Sequence, residues 1–194
     1  MSNWNQYWNN RSKTETSDVS ASGYTQSGNT VTPEIICSMQ EDISKKLEIS
    51  AADKMLEVGC GAGMHVKVFK PKVKQIIGID LAFGMTNRAK SECGINTVNS
   101  GSVTLPFKNS IFDKLLCYSV FHYFCDYDYA LNVVKEFLRV VKPGGIILIG
   151  DIPDKNKRNQ YLNYMNKGNK INNFKDKIKY IINGLNIKKY NLEL

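Results

Sequence analysis

Leu56-Glu57-Val58-Gly59-Cys60-Gly61-Ala62-Gly63 runs an apolar segment straight into three glycines spaced two apart. Followed by helical periodicity, this reads as a buried strand, a tight turn and a helix. Glycine admits backbone angles closed to other residues and lets a ligand approach the main chain. A dinucleotide-binding turn reads G-x-G-x-x-G, with glycines at 59, 61 and 64; here the third falls one place early. The next apolar run closes on Gly78-Ile79-Asp80, seventeen residues after Gly63. A carboxylate at that place suits the two hydroxyls of a ribose; the alternative for Asp80 is a helix N-cap.

Outward from this stretch, strands and helices alternate. Thr32 is an N-cap and Pro33 the first residue of a helix with an Ile35, Ile36, Met39, Ile43 and Leu47 stripe. Strands are predicted at 54–60, 73–80, 96–100, 112–120 and 145–151. Helices are predicted at 64–70, stopped near Pro71, at 84–93, stopped by Gly94, and at 129–141, with Leu131, Val134, Leu138 and Val141 on one face. The alternation implies an α/β fold: a Rossmann-like, doubly wound, mostly parallel sheet with helices on both faces. Residues 1–30 form an arm whose Trp4, Tyr7, Trp8 and Tyr24 suggest that it folds over something apolar. Residues 31–152 form the sheet domain, and 153–194 a segment that completes or caps it, with candidate helices at 154–167 and 173–183.

The chain of 194 residues, 42% hydrophobic, is enough for one domain with one core. No run of about 18 apolar residues occurs, so no integral membrane segment is expected. The polar stretch 1–24 lacks the apolar core of a secretory signal. Five cysteines, at 37, 60, 93, 117 and 125, fit a reducing cytoplasm rather than a disulfide framework. Cys117, His122 and Cys125 match no usual zinc spacing, and no metal is expected. The formal charge of +8 is uneven: residues 154–194 hold ten bases and three acids, the body sixteen bases and fifteen acids. Such a tail can attract nucleic acid, anionic lipid or acidic substrates, or serve as a solvated helix face.

Five blocks in order are Leu56–Gly63, Gly78–Asp80, Leu105-Pro106-Phe107, Phe112-Asp113 and Leu138-Arg139-Val140-Val141-Lys142-Pro143-Gly144-Gly145. Together they resemble the class I S-adenosylmethionine-dependent methyltransferases, in the broad group of ubiquinone/menaquinone-type and other small-molecule enzymes. The resemblance covers about residues 54–152, roughly half of the chain, and implies S-adenosylmethionine as cofactor. It implies that Gly59, Cys60, Gly61 and Gly63 line the methionine part, with Glu57 near its amino group. Asp80 would hold the ribose, Leu81 and Met85 would flank the adenine, and Ser102 and Val103 would meet the adenine edge. Tyr118 and Ser119 would face the amino acid end. Two departures concern the adenine: Gly101 and Ser102 stand where many relatives carry an Asp, and Ala82 stands where a Ser or Thr is common.

Methyl transfer needs alignment above all, and an oxygen nucleophile needs a base. His122, just after the fourth strand on the ligand edge, is the candidate base, against a packing role in the Phe121–Phe124 turn. His65 reads as structural or cofactor-adjacent. Trp4, Tyr7, Trp8, Arg11 and Tyr24 resemble a lid arm. The expected reaction is methyl transfer to a small-molecule acceptor, a sugar, lipid-linked or natural-product type with an O- or N-nucleophile. The absence of an Asn/Asp-Pro-Pro-aromatic block at Cys117-Tyr118-Ser119-Val120 argues against nucleic acid. The alternatives are a nucleic-acid methyltransferase using the basic tail, a non-catalytic cofactor-binding module, and a nicotinamide oxidoreductase, which needs the 59/61/64 glycines.

Overall fold

Apolar side chains of the central strands alternate between two faces, and each face is covered by helices. A computed structural model describes residues 4–26 and 29–152. Helix α1 (Trp4–Thr14) and the short α2 (Asp18–Ala21) precede the two-residue antiparallel strands β1 (Thr25–Gln26) and β2 (Asn29–Thr30). Next come α3 (Pro33–Leu47), β3 (Lys54–Val58), α4 (Met64–Phe69), β4 (Gln75–Asp80), α5 (Phe83–Cys93) and β5 (Asn96–Asn99). The described part ends with β6 (Phe112–Tyr118), a 3-10 turn at Phe121–Tyr123, α6 (Tyr127–Val140) and β7 (Val141–Gly150).

The five long strands make one parallel sheet in the order β5-β4-β3-β6-β7. This is the doubly wound architecture expected from the alternation. Met55, Leu116 and Leu148 pack with Ile43 and Leu47 of α3 and Val66 and Phe69 of α4. Leu56, Val58, Leu115 and Cys117 face the other way, onto Val133, Phe137 and Val140 of α6. The chain winds outward from β3 through β4 to β5, then crosses back to β6 on the other side of β3. That reversal opens a crevice at the carboxyl ends of β3 and β6, the place where such sheets bind ligands.

The conserved-looking blocks of the sequence are joined by polar contacts. Arg139 donates to the carbonyls of Leu105 (2.9 Å) and Phe107 (2.8 Å), and Glu136 accepts from the Leu105 N–H at 2.8 Å. Asp113 bonds the Lys142 ammonium (2.7 Å) and the Lys54 N–H (2.8 Å), which holds its carboxyl below the usual range. Thus α6 pins the 105–107 loop, and β6 is tied to both its neighbours at their amino ends.

Three expectations are corrected. The buried stripe of α6 is Val133, Phe137 and Val140, while Leu131 and Leu138 are exposed. The helix starts two residues earlier than predicted because Asp126 accepts from the Tyr129 N–H (2.7 Å) and caps it. β7 begins at Val141 rather than Gly145, with a register irregularity opposite Phe112–Lys114 that absorbs the Pro-Gly-Gly stretch. Thr32 stands at the N-cap of α3 with Pro33 opening the helix, as predicted, although its side chain makes no capping bond. Gly94 ends α5 with φ +61°, as predicted. The described part of the arm holds two helices and a two-residue strand pair, and among the described residues no helix is long and apolar enough to cross a membrane. The candidate helices at 154–167 and 173–183 lie outside the described residues.

The α6 stripe is directly testable by denaturant unfolding. Phe137→Ala is expected to cost about 3–5 kcal/mol through the cavity it leaves. Leu138→Ala should change stability by less than about 1 kcal/mol.

Candidate functional site

The crevice is built on the turn that follows β3. Both the Gly59 and Cys60 N–H groups donate to the Ile79 carbonyl, at 2.8 and 2.9 Å, so the turn is tied to β4. Gly59 has φ +75°, and a Cβ there would lie 2.3 Å from Val120 Cγ2. Gly63 has φ +90° and lies against Cys93 and Ala89. Neither position tolerates a side chain without strain. Cys60 is buried against Gly78 of β4, where a Cβ would lie 2.8 Å from its sulfur.

Asp80 closes this turn from the next strand. Its Oδ2 accepts from the Gly61 N–H at 3.0 Å and its Oδ1 from the Ala82 N–H at 2.8 Å. Asp80 is not the N-cap of α5, a place held by Ala82; its carboxylate ties the turn before that helix to the glycine turn at the crevice. Burial raises its pKa against the backbone bonds that lower it. Glu57, 2% exposed, lies one strand over, and its Oε2 has no hydrogen-bond partner. Burial, and then the charge of Asp80, push its carboxyl well above the usual range. A buried carboxylate oxygen left without a donor is rare, and a cation or N–H-bearing ligand would satisfy it.

The remaining predicted residues fall around this centre. Leu81 is exposed on the rim, and its Cδ1 lies 4.0 Å from where a Gly101 side chain would begin, so it meets the loop that carries Ser102 and Val103. Ser102 is buried, and Val103 packs partly buried against the core. Met85 is buried with Ala21, Ala62 and Ala82 and under Trp8, so the arm covers it. Tyr118 ends β6, and a Cβ at Gly150 would sit 2.3 Å from its ring. Ser119 follows with φ +58°. His122 is exposed, its ring 4.0 Å from that of Tyr123, and the contact with protein lowers its pKa while the charge of Asp151 opposes the shift. Cys117 is buried in the core and Cys125 exposed beside Asp126, so they do not converge with His122.

Ser22 and Asp151, which the sequence reading did not single out, also reach this crevice, as does Tyr24 of the expected lid arm. Ser22, on the arm, accepts from the Ala62 N–H at 3.2 Å. The Tyr24 hydroxyl lies 3.3 Å from His65 Nε2 and 3.0 Å from Ser119 Oγ. Ser119 Oγ in turn donates to Asp151 Oδ2 at 2.5 Å. Asp151, like Ser119, is a non-glycine residue in the left-handed region, with φ +56°. An acid directly after the fifth parallel strand was the signal that could have found it. On the other side of the arm, Trp4 and Trp8 meet the Tyr123 ring edge-on at 4.8 and 5.8 Å, and Asn9 accepts from the Gly84 N–H at 2.7 Å.

A family model described as a methyltransferase domain matches residues 56–149. An uncharacterized methyltransferase, YcgJ of Bacillus subtilis, is 31% identical over 131 residues, covering 63% of this chain and 51% of that protein. The chain thus spans about half the length of that relative. The crystal structure of YcgJ aligns with a TM-score of 0.54 at 26% identity, over 70% of this chain and 58% of that one. The N-methyltransferase NodS of Bradyrhizobium japonicum, in complex with S-adenosylhomocysteine, has the same fold, with a TM-score of 0.66 at 18% identity over 82% and 78% of the two chains. A mouse protein named Probable tRNA methyltransferase 9B is 28% identical over 53% of this chain and 23% of its own.

His65, buried beside Tyr24, sets a pH test of this geometry. Burial lowers its pKa from 6.5 to about 3. Between those values the unfolded chain binds a proton that the folded one does not, so stability falls as pH falls through that window and is whole above it. Urea midpoints should show the native protein losing roughly 2–3 kcal/mol more than His65→Gln between about pH 7 and about pH 4.5. Parallel profiles for the two proteins would contradict a neutral, buried His65.

Proposed function

From the match of residues 56–149 to a methyltransferase domain and the crevice geometry, we propose that this chain is a class I S-adenosylmethionine-dependent methyltransferase and that it transfers a methyl group from S-adenosylmethionine to a small-molecule acceptor. The observation that carries the cofactor assignment is Glu57 Oε2: a buried, unpartnered carboxyl oxygen next to a turn whose glycines leave the main chain bare. When bound, the cofactor supplies a methyl carbon activated by a sulfonium leaving group. Glu57 faces its amino end, the 59–63 turn lines the methionine part, and Asp80 accepts from the ribose hydroxyls with the lone pairs its backbone partners leave. Leu81, Met85, Ser102 and Val103 bound the adenine.

The chain's own contribution to chemistry is alignment and exclusion of water. The arm lies over the crevice through Trp8, Ser22 and Tyr24, and acts as a lid. His122 stands after the β6 end as the proton acceptor; partial burial lowers its pKa, and the charge of Asp151 opposes that shift.

The charge of the edge favours a small molecule over a phosphate chain. The segments after the five strands, 59–63, 80–82, 99–104, 119–124 and 151–152, contain no Lys or Arg, in a protein of net charge +8. A nucleic-acid acceptor is the second reading, favoured by the resemblance to Probable tRNA methyltransferase 9B and by the basic segment 154–194. A salt series separates the two: RNA binding through that segment would fall steeply with salt, as counterion release requires.

Calorimetry tests the cofactor site. S-adenosylmethionine should bind and NAD should not, and Asp80→Ala should weaken binding by about 1–3 kcal/mol. Unchanged affinity in the folded variant removes Asp80 from the ribose. Once an acceptor is known, His122→Ala should lower turnover by about 10²–10⁴-fold with cofactor affinity kept; equal turnover removes it as the base.

A further inference from the structure

Glu57 and Asp80 account for the cofactor's half of the crevice, but the charge on its other half is unexplained. Asp151 sits at the carboxyl end of β7, beside Ser119 at the end of β6. Both hold left-handed backbone angles, at φ +56° and φ +58°. Each such angle is strained for a side chain other than glycine and recurs at ligand-binding sites. The two are locked together: the Ser119 N–H donates to the Gly150 carbonyl at 3.1 Å, and its hydroxyl donates to Asp151. The backbone is thus bent at two adjacent strand ends to bring a carboxylate to the ligand edge.

Aromatic side chains lie beside the residues that hold that carboxylate. The Tyr118 ring lies against Gly150, the residue before Asp151. Tyr24 reaches Ser119 from the arm, and its phenol feels the charges of both Asp151 and the unpartnered Glu57. The turn after Ser119 adds His122 and Tyr123, both within the field of Asp151, and Trp4 stands edge-on to Tyr123. Arg11, the cation that acts on Tyr123, is paired with Glu15 at 3.1 Å. A carboxylate near electron-rich rings, where the described strand-end segments carry no Lys or Arg, repels anions and attracts cations.

We propose that the acceptor is a small amine, held as its ammonium by Asp151 and walled by Tyr118, Tyr123 and Trp4. This rests on the methyl-transfer reading above and names its substrate class. An ammonium bound there gives one proton to His122, which leaves the amine's lone pair free to form the N–C bond as the methyl's C–S bond breaks and its electron pair stays on sulfur. A sugar or phenol hydroxyl would use none of the negative charge, and a carboxylate or phosphate would be opposed by it.

The full chain, saturated with S-adenosylhomocysteine near neutral pH, is titrated with two probes of nearly equal shape, benzylamine and benzyl alcohol, and followed by NMR. Benzylamine is expected to bind at least about tenfold more tightly than the alcohol. Asp151→Asn should bring the two within about twofold of each other while S-adenosylhomocysteine affinity holds. Equal binding of the probes by the native protein, or no benzylamine binding at all, overturns the proposal even if the variant does not fold. A preference for the amine that survives Asp151→Asn in a folded variant overturns it as well. If S-adenosylhomocysteine itself does not bind, the methyl-transfer reading falls first, and the amine assignment with it.

Discussion

The Asp80 carboxylate holds the crevice in shape. By accepting from Gly61 on one side and Ala82 on the other, it joins the turn after β3 to the turn after β4. The Ile79 carbonyl adds two more bonds to the same turn from the residue before it. These bonds require the loop to lie flat over β4, which in turn requires positive φ at Gly59 and Gly63 and a bare Gly78 under Cys60. A parallel sheet supplies the frame at little cost, because its strand ends are already in register: Val58 pairs with Ile79 and with Cys117. The glycines are thus demanded by the frame as well as by a ligand.

Much of this was legible because buried parallel strands are apolar runs with sharp ends. Met55–Val58, Ile76–Ile79 and Leu115–Cys117 are unmistakable, and the glycine turn and Asp80 fall at their ends. The errors lie where several patterns compete. In α6 the apolar residues spread over more than half the helix surface, so Leu131 and Leu138 match the helical period as well as Val133 and Phe137 do. Only packing on Leu56 and Leu115 selects the true face. Pro143-Gly144-Gly145 looked like a strand boundary, yet β7 runs through it because the strand is at the edge of the described sheet and can forgo a bond.

The site was legible where one segment carries it and hidden where distant segments meet. Glu57, the glycines and Asp80 lie in two adjacent strand ends. Asp151, Ser119 and Tyr24 come together from three places more than thirty residues apart. No local pattern marks a tyrosine in a polar arm as a partner for a serine 95 positions later. The aromatic content of that arm announced that it packs on something, and the structure supplies what: Met85, Ala62 and Ala82 under Trp8, and Tyr123 beside Trp4.

The bond from the Ala62 N–H to Ser22 has a thermodynamic corollary. It makes the shape of the glycine turn and the seating of the arm parts of a single equilibrium. A ligand that recognises the turn only in this shape is held in proportion to the fraction of molecules whose arm is down. Substitutions on the outer surface of α1, far from any ligand atom, therefore tune affinity without altering a single contact in the crevice.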